Sequence, residues 1–381
     1  MAKDAGAVAL YGAGSADSLR PSRIEALDGL RGLAALLVVF QHVAEGILKM
    51  HTLPPEFERA GRLLLGETFN FGRFGVALFF LLSGFVIPFS FHAEFPLRGF
   101  ATSRVFRLYP AYWLSLGFAI LVLHAIGAQA PTPNVIAANL TMMQKYFGQP
   151  DVVAAYWTLA TEVAFYVMAA GLFATGWLRI PRVLAGGTAT LLAAALLLAL
   201  ASPIIGRRLP ADLPLHLGLM LLGTTLRLAM LDGDPIARRL GRRLFVAFLI
   251  VTPVVQFMTL PPGDADGFTR PLAPTLGYVG ALLVFVTLAN RQAGFGRVAT
   301  WFGALSYSIY LFHGTIVMAL EPMLVSGRPG LALLYAASVA CGTIIIAAIV
   351  YHGVERPMVR LGHRIMRRSY SATRPAGQSA I

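Results

Sequence analysis

The stretch 26–48, ALDGLRGLAALLVVFQHVAEGIL, decides the fold. As a helix rising about 1.5 Å per residue it is long enough to cross a bilayer core of roughly 30 Å. Yet it carries Asp28, Arg31, His42 and Glu45. A charge at the middle of a spanning helix costs ~2.5–3.5 kcal/mol, so such groups face a bundle interior and have a task or a partner. Arg31 and His42 stand three turns plus about 20° apart, which puts them on one face about 16 Å apart along the axis. With Arg31 near the cytoplasmic boundary, His42 falls near mid-membrane. The plainer alternative is an Asp28–Arg31 pair at the interface and a satisfied core histidine.

The rest of the chain repeats the pattern. Of its 381 residues, 57% are hydrophobic and 13% charged, against roughly 25% charged in a soluble domain. Further apolar runs lie at roughly 72–91, 109–128, 156–177, 183–203, 213–231, 244–260, 274–290, 300–320 and 331–352. The reading is an all-α polytopic membrane protein, a bundle of about ten transmembrane helices. Residues 1–23, rich in Gly, Ala and Ser, lack the apolar core of a signal peptide and read as a disordered cytoplasmic tail. Residues 24–357 form the membrane domain, and 358–381 a basic cytoplasmic tail.

Charge orients the bundle. With the N-terminus inside, twenty of the 31 Lys and Arg residues fall in cytoplasmic segments and nine in outer ones. That excess fits the positive-inside rule for a multi-pass protein of the cytoplasmic (inner) membrane with both termini in the cytoplasm. The net charge of +13 is thereby explained by the lipid bilayer, with no nucleic acid as partner. The single cysteine, Cys341, rules out an intramolecular disulfide framework and a multi-cysteine metal site. No metal-ligand cluster, phosphate-binding loop or serine nucleophile elbow is present. Asn139-Leu140-Thr141 matches a glycosylation sequon, but so short a match carries no weight.

Four more polar groups stand out. Trp157-Thr158-Leu159-Ala160-Thr161-Glu162 opens the fourth span, and a carboxylate two turns into it needs a partner or a proton; His42, Arg227 and His313 are the candidates. Arg104 and Arg107 share a helical face before the third span, where two planar guanidiniums suit one anionic ligand. Juxtamembrane arginines also serve simply as topology or headgroup anchors. Ser306, Tyr310 and His313 share a face of the ninth span. Ser83-Gly84 in the second span suits a close helix crossing.

Together these motifs resemble the acyltransferase 3 family, integral-membrane O-acyltransferases that modify bacterial surface glycans and some secreted small molecules. The matching text is Leu27-Asp28-Gly29-Leu30-Arg31-Gly32, with ten residues between Arg31 and His42, and Gly75 to Phe85 ending in Ser83-Gly84-Phe85. It continues with Arg104 and Arg107 before Tyr109-Pro110, Trp157 with Glu162 and Phe165-Tyr166, Ser306-Tyr307 with Tyr310 and His313, and Glu355-Arg356-Pro357. One departure is Ala77, where many members carry an acidic residue, which leaves the acceptor class open.

The resemblance implies a transferase, in which His42 is catalytic and Arg104 with Arg107 serves an acyl-CoA donor, with Arg31 nearby. Glu162 is expected to orient or charge-balance His42. Ser83, Trp157, Tyr310 and His313 are expected near the substrate, with His313 as reserve base. The chemistry agrees: transfer from a thioester to a hydroxyl needs a base titrating near neutrality and stabilisation of a developing oxyanion. The expected donor is acetyl-CoA, and the acceptor a glycan, a lipid-linked sugar or a glycosylated small molecule. The rival class is a transporter or flippase, since intramembrane ionisable groups also mark substrate pathways.

Overall fold

A computed structural model describes residues 21–51, 53–91, 96–260, 268–289, 296–326 and 329–373. Among them every regular element is helical, and ten helices are long and apolar enough to cross a membrane. We label the ten long helices α1 (Pro21–Lys49), α2 (Phe71–Val86), α3 (Pro96–Ala125), α4 (Trp157–Ala174), α5 (Pro181–Ile205), α6 (Asp212–Met230), α7 (Pro235–Thr259), α8 (Leu272–Ala289), α9 (Gly296–Leu320) and α10 (Pro329–Val350). A further helix, α11 (Arg356–Thr373), follows a π-turn. The all-α polytopic architecture is as expected. The N-terminal tail lies outside the described residues up to position 20.

Several helices differ from the expected spans, the seventh for instance beginning at Pro235 and not 244. The second ends at Val86 rather than 91, because Pro88 has no N–H to continue the ladder. Thr224 Oγ1 instead donates to the Gly84 carbonyl at 2.8 Å, and Arg227 donates to that of Phe85 at 3.3 Å. The third begins at Pro96, so Arg104 and Arg107 lie inside the helix and not before it. The basic C-terminal stretch is helical to Thr373 and packs on α3, with Gly362 against Phe106. Its arginines at 356, 360 and 364 recur every four residues, the helical spacing that a reading as plain tail passed over.

The most extensive helix pair is α1 with α9. Its register is set by two glycines: a Cβ on Gly32 would sit 2.7 Å from the Gly303 nitrogen, and one on Gly303 would sit 2.1 Å from the Asp28 carbonyl oxygen. Only bare backbones fit at that distance. Ten residues beyond each glycine stand His42 and His313, which also touch. Two contacts in the same order along both chains make the helices parallel, and an equal rise of about 15 Å brings the imidazoles level. A second close crossing joins α2 to α6, where Gly84 meets the Met220 carbonyl and Gly223 that of Leu81. By contrast α4 meets its neighbours sparsely, and the space it leaves is the site.

Candidate active site

A cavity of about 150 Å³ opens among α1, α2, α3, α4 and α9. Its inner end gathers Arg31, Arg104 and Arg107. Arg31 Nη1 donates to Asp28 at 3.1 Å, the pairing that the plainer alternative named, while its side chain still lines the cavity. Arg104 lies over the rings of Phe100 and Tyr166 at 5.5 and 5.8 Å and donates from Nη2 to Ser90 at 3.2 Å; its Nε is buried with no partner among the described residues. Arg107 is balanced at longer range by Glu355 and Glu162. Glu355 is itself buried and accepts from Ser308 at 3.0 Å.

Glu162 belongs to this cluster. Its Oε1 accepts from Tyr166 at 2.8 Å and from Ser83 at 3.2 Å, and its charge acts on Arg31, Arg104 and Arg107. The expected pairing with His42 is corrected here: α4 presents Glu162 to the arginines, and among the described residues the hydrogen-bond partner of His42 is His313. Arg227, another candidate, is turned to the Phe85 ring and carbonyl.

The outer end of the cavity is closed by Phe79, Phe80, Thr158 and Tyr310. The Tyr310 hydroxyl donates to the Ala155 carbonyl at 3.0 Å and accepts from Thr158 Oγ1 at 2.8 Å. One turn further out, His313 is fully buried and His42 half-buried. His42 Nδ1 and His313 Nε2 are 3.0 Å apart, with the rings within 14° of parallel. Neither imidazole lines the cavity, so the Tyr310–Thr158 contact separates them from the arginines. Ser306, expected beside them, bonds the Gly303 carbonyl and lines the inner cavity.

Beyond this partition a wider recess of about 480 Å³ is lined by Arg73, Lys145, Asp151, Trp157, Arg208 and Asp212, among others. Arg73 stacks over Trp157 at 5.5 Å, and Arg208 pairs with Asp212 at 2.7 Å. Burial pushes the Asp151 carboxyl up, against the opposing pull of its hydrogen bond from Gln144. Trp157 also meets Phe80, so these two rings form part of the wall between the recess and the inner cavity. Below Trp157, buried His216 shares a 2.6 Å hydrogen bond with Tyr278. The sequence reading missed Arg73, Asp212, His216 and Tyr278; a histidine inside an apolar run was the one signal available. Asn139 is buried, with Nδ2 donating to Val135 and Pro150 and Oδ1 accepting from Val152, so it holds the loop between α3 and α4.

Comparison with known proteins agrees with the motifs. Residues 24–352 match the model of the acyltransferase domain family. The chain is 28% identical over 156 residues to the acyltransferase MdmB of Streptomyces mycarofaciens, covering 39% of this chain and 38% of that one. It is 25% identical over 391 residues to the putative peptidoglycan O-acetyltransferase YrhL of Bacillus subtilis, covering 90% of this chain and 56% of that one. It is 30% identical over 315 residues to the exopolysaccharide production protein ExoZ of Rhizobium meliloti, covering 78% of this chain and 92% of that one. The chain thus spans less than two-thirds of the first two relatives. No solved structure matches.

Proposed function

Since the chain belongs to the acyltransferase family, we propose that it moves an acyl group from cytoplasmic acyl-CoA, acetyl-CoA first among donors, to a hydroxyl of a glycan or glycosylated acceptor on the outer side. The observation that carries this reading is the gathering of three arginines in one cavity a single side-chain layer short of a histidine pair. Intramembrane guanidiniums are expensive to hold, and a ligand with several phosphates repays that cost through planar, charge-assisted hydrogen bonds. The cavity is smaller than the roughly 300–1,000 Å³ of a drug-sized pocket, so it suits a slender thioester arm with the phosphates left at the inner mouth. Glu162 offsets part of the arginines' charge when no donor is bound.

The outer recess supports an acceptor approaching from the other side. It offers hydrogen-bonding side chains of both signs and an indole, the mixture that hydroxyl-rich molecules need. In the transfer step the acceptor oxygen attacks the thioester carbonyl carbon while His42 takes the hydroxyl proton. Collapse of the tetrahedral oxyanion breaks the C–S bond, and the departing thiolate takes the proton back from His42. The products are the ester and free coenzyme A. For the thioester to meet His42 the Tyr310–Thr158 contact has to open.

The reading is tested with purified full-length protein in inner-membrane-like proteoliposomes, radiolabelled acetyl-CoA on one face and polysaccharide acceptors on the other. Acetate esters on the acceptor, with acetyl-CoA consumed on the arginine side, are the expected result. No consumption above a His42→Ala control with any hydroxyl acceptor would overturn it, and movement of intact acceptor without esterification would point to a transporter.

A further inference from the structure

Resting on the reading that His42 takes the proton, we propose that His313 is a positioning residue that fixes the tautomer of His42, making Nε2 of His42 the reacting nitrogen. The argument starts inside α9. His313 Nδ1 lies 2.7 Å from the Tyr310 carbonyl oxygen and 3.3 Å from that of Ile309. Carbonyls only accept, so Nδ1 of His313 carries the hydrogen. A neutral imidazole has one N–H, which leaves His313 Nε2 as an acceptor. The atom facing it at 3.0 Å is His42 Nδ1, which therefore donates. The lone pair of His42 is then on Nε2.

A charged His313 would reverse this chain, but its surroundings argue against it. Neither imidazole has a carboxylate among its hydrogen-bond partners, and the charges that act on His42 are those of Arg73 and Lys49, both positive. The chain of hydrogen bonds also decides between the two histidines. Both nitrogens of His313 are engaged and its ring is fully buried, whereas His42 is half-buried and its Nε2 has no partner among the described residues. The reserve-base role expected for His313 gives way to support of His42.

The arrangement performs what a buried carboxylate does in a Ser-His-Asp triad, holding the ring in the correct tautomer and receiving its N–H as charge develops. A carboxylate at mid-membrane carries a large desolvation cost. A neutral imidazole polarised by a helix carbonyl orients His42 without a resting charge. When His42 accepts the hydroxyl proton on Nε2, its Nδ1–H bond to His313 becomes charge-assisted, about twice as strong as a neutral one. The bond strengthens only when the acceptor gives up its proton, so it acts on turnover and not on donor binding.

The test uses full-length protein in nanodiscs with ¹⁵N-labelled histidine, the His42 signal being assigned by its loss in His42→Gln. Acetyl-CoA turnover is measured alongside, with glycerol as the hydroxyl probe. The parent should show His42 as the Nδ1–H tautomer alone. His313→Ala should give mixed tautomers and lower kcat on the order of 10²-fold with KM for acetyl-CoA unchanged. His313→Phe, which keeps a ring without an acceptor, should behave alike if the Ala variant folds poorly. His313→Gln, whose amide oxygen accepts the same hydrogen, should restore the single tautomer and most of the rate. An unchanged His42 tautomer in the Ala or Phe variant, or a Gln variant as impaired as Ala in both readouts, overturns the proposal. If the parent consumes no acetyl-CoA, the donor reading fails, and the tautomer spectra still decide the role of His313.

Discussion

Replacing both Arg104 and Arg107 with Gln should separate ligand binding from stability. In the unliganded protein the two act on the fold in opposite directions. Arg104 leaves Nε buried with no partner among the described residues and is repelled by Arg107, whereas Arg107 is held by the charges of Glu355 and Glu162. Removing both relieves a desolvation cost and a like-charge repulsion but leaves those carboxylates uncompensated, so the melting temperature of the free protein should change little.

Donor binding should fall far more. A hydrogen bond to a charged group contributes about 1.5–3 kcal/mol, so two guanidiniums account for about 3–6 kcal/mol. Both residues are half-buried, so water screens them and the lower end applies. That corresponds to a Kd for coenzyme A weaker by on the order of 10²-fold. Lys at both positions should recover part of it, since charge returns without the planar fork. The assay is calorimetric titration of detergent-purified protein with coenzyme A, beside thermal unfolding with and without it. A double Gln variant that binds coenzyme A as tightly as the parent refutes the reasoning, and one that is destabilised and binds weakly would reassign the arginines to structure.

Three further outcomes follow from the same geometry. His42→Ala should lower acetyl transfer about 10²–10⁴-fold while coenzyme A binding, measured by the same titration, stays within a factor of about two, because the imidazole lies beyond the Tyr310 partition. Gly303→Val should abolish transfer and lower thermal stability, as overpacking by about 1–3 kcal/mol at the Asp28 carbonyl pushes α1 from α9 and parts the histidines; unchanged transfer with the same melting curve would contradict the register argument. Tyr310→Phe removes the hydroxyl that bonds Ala155 and Thr158, so loss of acetyl-CoA to hydrolysis without acceptor should rise several-fold, about what a barrier lowered by ~1 kcal/mol gives; hydrolysis at or below the parent rate counts against the partition.

The sequence reveals each helix's polar face more readily than its partners. Arg31 and His42 could be placed on one stripe because helical phase is a local property, and Arg104 with Arg107 for the same reason. Which stripe meets which depends on how helices rotate against each other. Here that rotation is set by Gly32 against Gly303 and Gly84 against Met220, contacts between residues far apart in the chain. Glu162 was therefore placed within its helix but against the wrong partner. Its rotation toward Tyr166, one turn along on the same helix, was visible in the spacing of four. The outer recess was illegible for a different reason. Arg73, Asp151, Trp157 and Asp212 come from separate segments, each with one polar residue too few to form a pattern.

The layout also accounts for why the two charged ends of the proposed reaction are kept apart. Coenzyme A is a polyanion, and pulling it to mid-membrane would strip its phosphates of water at a cost no hydrophobic contact repays. Arginines at the inner end let the phosphates stop where solvent is close, while a neutral arm covers the remaining depth. The acceptor, if a glycan, is likewise too polar to cross. Only a small neutral acyl group needs to pass the middle, and the middle is built accordingly. Between the arginines and the outer recess stand phenyl rings, a tyrosine and a threonine hydroxyl, and two imidazoles bonded to each other. Placing a carboxylate beside His42 would bring a charge to the depth where charge costs most. The glycine-set register of α1 on α9 supplies a second imidazole there instead.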